Sequence, residues 1–203
     1  MDLAAVGCEE ELRIEEVALV GSVPPGSRAR WVVVGGSRLR GSLAGAGLPD
    51  LHVHDLEALG ADLANADLRQ ATLRQVRARD CRLTGASLAE ASLTDVALDG
   101  CRLDYAVLEE ARIDRVALRG CDLREASFEG AHLRDVRFED CDLSGVVFAR
   151  ARLDRVELAG CRLDGLRGLA DLRGARMPWP DIVANAGTFA AALGIGALQD
   201  TQE

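Results

Sequence analysis

The chain has 203 residues, a length that suits one domain, and 33 acidic residues against 24 basic ones give it a net charge of −9. That sign excludes a general nucleic-acid binder, which needs a cationic surface. Apolar residues make up 48% but aromatic ones only 3%, so the core is built from aliphatic and small side chains, not from the rings that fill an ordinary globular core.

At the start, Glu9, Glu10 and Glu11 follow closely on Met1, which lacks the basic and apolar stretches of a secretory signal. The weakly polar run 188–198 is too short to span a bilayer. A cytoplasmic protein with its six cysteines reduced is expected. Residues 1–40 read as an N-terminal cap segment, with short strands at 17–23 and 31–34 joined through Pro24-Pro25-Gly26. Residues 41–60 read as one degenerate coil, because Leu43, Leu48, Val53 and Ala58 recur every five residues.

From Ala61 to Gly165 the chain divides without a gap into 21 blocks of five. The third residue of each block is large and apolar, with Ala78 the exception, and the first is Ala, Val or Cys. A helix period of about 3.6 or a strand period of 2 would rotate these positions around the axis. They stay inward only if the chain turns a corner once per block, near the fourth and fifth residues. Gly85, Gly100, Gly120, Gly130, Gly145 and Gly160 hold that fifth position. Cys81, Cys101, Cys121, Cys141 and Cys161 recur every 20 residues, as do Val76, Val96, Val116, Val136 and Val156. Four blocks therefore make one coil, and coils stack at roughly 4.8 Å. On stacked coils, charges 20 apart pair: Asp62 with Arg82, Arg102 with Asp122, Asp142 with Arg162, and Arg79, Asp99, Arg119 and Glu139 in one column.

Ala61-Asp62-Leu63-Ala64-Asn65 and Ala66-Asp67-Leu68-Arg69-Gln70 resemble the A-(D/N)-L-x-x signature of pentapeptide-repeat proteins. The resemblance implies an all-β solenoid, a right-handed quadrilateral β-helix about as wide as a nucleic-acid duplex. It also implies function. The family's best-understood bacterial members bind the type II topoisomerase DNA gyrase and protect it from quinolones or other poisons, which makes DNA mimicry an expectation. A general protein-interaction or assembly module is the alternative.

After Gly165 the frame dissolves, and residues 166–203 read as a C-terminal cap. Pro178-Trp179-Pro180 breaks the chain, and Asp181 suits the N-cap of a helix at about 182–193. Ile182, Ala186, Phe189 and Leu193 fall on one stripe. The helix either covers the solenoid end or pairs with its twin, and a homodimer through Ile182, Phe189 and Leu193 is the favoured expectation.

No catalytic, cofactor or metal site is expected. The cysteines point inward in parallel, as small hydrophobes, and do not converge on one point as metal ligands do. His52 and His54 flank Val53 as an outward pair, and His132 lies between Arg112 and Arg152 without a carboxylate to make it a base. One surface stands apart. In the three middle coils the side holding Leu88, Leu108 and Phe128 carries Glu90, Glu109, Glu110 and Glu129 and no basic residue. The other three sides nearly balance, so these four glutamates are the candidate partner-binding residues.

Overall fold

The computed structural model describes residues 12–15, 18–22, 24, 26–27 and 32–196. Glu9, Glu10, Glu11, Trp31 and the end of the run 188–198 lie outside the described residues. The described chain forms a parallel β-solenoid of about seven turns, closed by short helices at its C-terminal end. Its strands are β1 (Leu12–Glu15), β2 (Ala18–Ser22), β3 (Val32–Ser42), β4 (His52–Leu59), β5 (Thr72–Arg79), β6 (Ser92–Asp99) and β7 (Arg112–Arg119), then β8 (His132–Arg134), β9 (Arg137–Glu139), β10 (Arg152–Asp154) and β11 (Glu157–Ala159). All pair in parallel, and from β4 upward every partner is 20 residues away, as in Leu93↔Ile113 and Leu98↔Leu118. Two sides of the coil carry these strands. The other two are joined by single bridges such as Arg102↔Asp122 and Val107↔Ser127.

The backbone explains why five residues make a side. Within coil and neighbour, the Leu103 N–H donates to the Asp122 carbonyl at 2.6 Å and the Arg102 N–H to the Cys81 carbonyl at 2.9 Å. The corner closes when the Ala106 N–H donates to the Leu103 carbonyl at 3.0 Å. Every fifth residue from Gly45 to Gly165 sits in the left-handed region, with φ between 52° and 71°. Sixteen of these corners are not glycine, although a side chain there costs about 1–2 kcal/mol. Within the column they hold because the corner N–H bonds to a carbonyl of the coil above, as Tyr105 does to that of Arg124 at 2.9 Å.

The expected inside is the observed inside. Leu103, Leu123, Leu143, Cys101, Cys121 and Cys141 are almost wholly buried. Phe128 and Phe148 stack with centroids 5.1 Å apart, and Phe138 meets both edge-on at 6.0 and 6.3 Å. Each described cysteine thiol points at a backbone carbonyl; Cys121, for example, lies 3.4 Å from those of Leu98 and Arg119. The described cysteines are all free.

The two ends depart from expectation. The N-terminal segment continues the solenoid: β1 and β2 both pair in parallel with β3, Leu12↔Val32 and Ala18↔Arg38. Between β3 and β4 the register falls to 19, as in Val34↔Val53 and Leu39↔Ala58, and it does so again at the C-terminal end in the bridge Glu157↔Arg176. One residue is missing from the side between Leu39 and Leu43, and Gly21 and Gly41 lie so close there that a Cβ on Gly41 would stand 2.1 Å from the Gly21 carbonyl oxygen. At the other end, a 3-10 turn (Leu169–Leu172) leads to two helices, α1 (Trp179–Ala184) and α2 (Ala186–Ala192), broken at Asn185, in place of the single helix expected at 182–193. Pro178, not Asp181, is the N-cap of α1. Asp181 instead accepts the Gly160 N–H at 2.7 Å, because the last coil leaves that donor without a carbonyl above it.

Candidate interaction surfaces

Four outer sides follow from the corners. On three of them many of the charges pair between coils. Arg115 grips Asp95 of the coil below with two bonds, at 2.6 and 2.9 Å, and also touches Asp114. Arg155 grips Asp135 at 2.5 and 2.8 Å, and Arg134 bonds Asp114 at 2.7 Å. Hydrogen bonds from Arg115, Arg134 and Arg155 hold Asp95, Asp114 and Asp135 below the ordinary aspartate range. The next side carries Arg79, Asp99, Arg119 and Glu139 in the expected column, tightest at Arg119–Glu139, 2.7 Å. Asp62–Arg82 at 4.0 Å and Asp142–Arg162 at 3.4 Å also pair as expected. Asp122 differs. It bonds Arg124 of its own coil at 2.6 Å instead of Arg102, because a residue two along on the same side reaches it with less extension.

The acidic side is built differently. Glu90 and Glu110 stand on left-handed corners, one coil apart, with Glu109 and Glu129 beside them. Glu90, Glu109 and Glu110 are exposed and have no ion pair among the described residues. Glu90 accepts from Gln70 at 3.2 Å and Glu109 from Ser127 at 3.1 Å, both neutral donors. Glu129 is another matter: Arg150 reaches down from the coil above and pairs with it at 2.7 Å. Below, Arg69 is taken by Asp67 at 2.7 Å. The uncompensated acid is thus three glutamates bracketed by Arg69 and Arg150, neither of which lies within the three middle coils.

A stripe of opposite sign runs up the neighbouring side. Arg112, His132 and Arg152 stack through β7, β8 and β10, all exposed and none ion-paired among the described residues. The carboxylates beside them, Asp114 and Asp154, are already held by Arg115 and Arg134, and by Arg155. His52 is half-buried and His54 exposed on β4, where the His54 ring covers the backbone of Gly35.

At the C-terminal end, Phe189 of α2 packs against the solenoid core and Ile182 is half-buried, whereas Leu193 is exposed. Trp179, Val183 and Ile195 are exposed with it. These four exposed apolar residues are not the single stripe of Ile182, Phe189 and Leu193 that one helix would present, because the chain breaks at Asn185 between the two helices.

Comparison with known proteins agrees with this architecture. The profile described as Pentapeptide repeats (8 copies) matches residues 61–96 and 91–130, and that described as Pentapeptide repeat region matches 111–167, together just over half of the chain. No curated protein matches it. Among solved structures, HetL, a pentapeptide repeat protein involved in heterocyst differentiation regulation from the cyanobacterium Nostoc sp. strain PCC 7120, is 24% identical, with 83% of this chain and 90% of that one covered at a TM-score of 0.44. Rfr23 from the cyanobacterium Cyanothece 51142 is also 24% identical, covering 51% of this chain and 64% of that one at 0.41. Full-length QnrB1, a plasmid-mediated fluoroquinolone resistance protein, is 18% identical, covering 90% of this chain and all of the other at 0.36. At these identities and scores the likenesses bear on neither partner nor activity.

Proposed function

The chain belongs to the pentapeptide-repeat family, and from that premise we propose that it acts without catalysis, as a DNA-mimicking rod that binds a type II topoisomerase such as DNA gyrase. The observation that carries this reading is the contrast between sides. Elsewhere in the middle coils most acids pair with arginines, many of them in neighbouring coils, whereas Glu90, Glu109 and Glu110 cluster on one side, exposed and with no ion pair among the described residues. Negative charges at fixed intervals on stacked coils complement a basic DNA-binding groove. Purified gyrase tests it: the protein should bind the enzyme and alter its supercoiling activity, with and without a quinolone. A protein that neither binds gyrase nor changes supercoiling sinks this reading.

The stripe of Arg112, His132 and Arg152 favours a second reading, a general assembly module that offers an acidic and a basic stripe to different partners. Capture of a partner lost on Arg112→Glu but retained on Glu110→Arg selects it. Under either reading, Trp179, Val183, Leu193 and Ile195 support a two-fold homodimer joined end to end at the C-terminal helices. That would double the length of rod presented.

A further inference from the structure

The solenoid interior is not evenly filled. On the side where Leu98, Leu118, Phe138 and Leu158 point inward, the lower coils have Ala58 and Ala78. Each alanine withdraws most of a side chain from walls that are otherwise unchanged. Burial records the result. Up one inward column Leu43 and Leu63 are only half-buried, Leu83 is 9% exposed, Leu103 1%, and Leu123 and Leu143 0%. These side chains face the axis, so their residual exposure lies on an internal bore.

That bore is a cavity of about 150 Å³. It runs from Val34 and Leu39 through Ala58 and Ala78 and ends against Phe128 and Phe138. Apart from Ser27, every residue lining it is aliphatic, a phenylalanine or, at Cys81, a thiol. There is volume for several waters but almost no polar partner for them, and apolar cavities of this size stay dry and take up small apolar molecules. From Leu39 to Phe138 the column climbs five coils, roughly 24 Å at the inter-strand spacing. The lining residues follow the axis over these coils, so the space is elongated and suits a straight chain better than a ring. We propose that the interior of the N-terminal coils binds a straight alkyl chain, held by dispersion and the hydrophobic effect alone.

The full chain is heated in buffer saturated with n-hexane, with cyclohexane, or containing octanoate, and its Tm is recorded. A ligand bound only to the folded state raises Tm, here by about 2 °C or more with n-hexane. Cyclohexane, the same carbons closed into a ring, should leave Tm unchanged. A rise with octanoate as well assigns the site to a lipid chain whose carboxylate stays outside the column, and a rise with n-hexane alone assigns it to free hydrocarbon. The variant Ala58→Leu with Ala78→Leu, which refills the bore, should lose the response. No rise with n-hexane, an equal rise with cyclohexane, or an undiminished rise in the refilled variant overturns the proposal.

Discussion

Arg150 reaches across one coil to bind Glu129 at 2.7 Å, and by doing so sets the upper limit of the acidic side. Removing that cap should enlarge the acidic surface. Arg150→Ala is expected to tighten binding to a basic partner such as gyrase about threefold, whereas Glu90→Arg with Glu109→Arg and Glu110→Arg abolishes it at nearly constant Tm. Binding should weaken as salt rises, since exposed charges are screened beyond about 10 Å at 0.1 M. Titration by calorimetry at two salt concentrations checks both effects. An Arg150→Ala variant that binds less well would place the contact elsewhere.

Acid should loosen the charge pairs of two other sides. Asp95, Asp114, Asp122 and Asp135 have folded pKa values lowered first by hydrogen bonds from Arg115, Arg134, Arg124 and Arg155 respectively. A lowered folded value means the stabilisation is complete above the unfolded pKa of about 3.9 and is lost as pH falls through the folded one. Denaturant midpoints should therefore hold from neutrality to about pH 4 and decline below it. A decline that begins near pH 6 would require a different group.

Thiol chemistry tests the inward register. Cys81, Cys101, Cys121 and Cys141 are buried and Cys161 is half-buried. Neighbouring thiols in the column, and then burial, push the pKa of Cys81, Cys121 and Cys161 up, away from the reactive thiolate. Titration with a chromogenic disulfide should find these five slow in native protein, Cys161 the first of them to react, and all fast in denaturant. Rapid labelling of four or more native thiols would contradict the coil.

Two carboxylates finish the open edge, and each should be measurable. Within the column a corner N–H donates to a carbonyl of the next coil, as Gly145 does to Asp164 at 2.8 Å. The last coil has none to offer at two corners, and side chains take over: Asp171 accepts the Arg150 N–H at 2.8 Å and Asp181 the Gly160 N–H at 2.7 Å. Asp171→Ala and Asp181→Ala should each cost about 1 kcal/mol, as loss of a helix N-cap does. Asparagine at either site should restore most of it in urea denaturation.

The C-terminal group predicts the assembly. Light scattering should give the wild-type protein twice the mass of one chain, and Val183→Asp with Leu193→Asp should give a soluble monomer. Phe189→Asp is the poorer probe, because that ring packs on its own solenoid. A wild-type monomer at high concentration ends the dimer.

The five-residue frame and the 20-residue columns make the inside, the outside and most ion pairs legible in the amino-acid order alone, because one register repeats without interruption from Gly41 to Gly165. What the repeat hides lies where that register breaks. The single residue missing between Leu39 and Leu43 throws β1, β2 and the first part of β3 out of frame, so three strands of the same solenoid resemble a separate cap. Asp181 has the pattern of a helix cap, a carboxylate before an apolar stripe; the unfilled donor on Gly160 that claims it is visible only in three dimensions. Glu129 reads as unpaired because its arginine lies 21 residues on, a diagonal step that a search along columns passes over.

The three packed rings of Phe128, Phe138 and Phe148 give the column a direction that its repeating backbone lacks. In a solenoid each coil is held only by its neighbours, so stability is close to a sum of local terms. The coils around the rings have the fullest interiors, and those near Ala58 and Ala78 the emptiest. Under load or in rising denaturant the rod should fray from the alanine end while the phenylalanine end still holds.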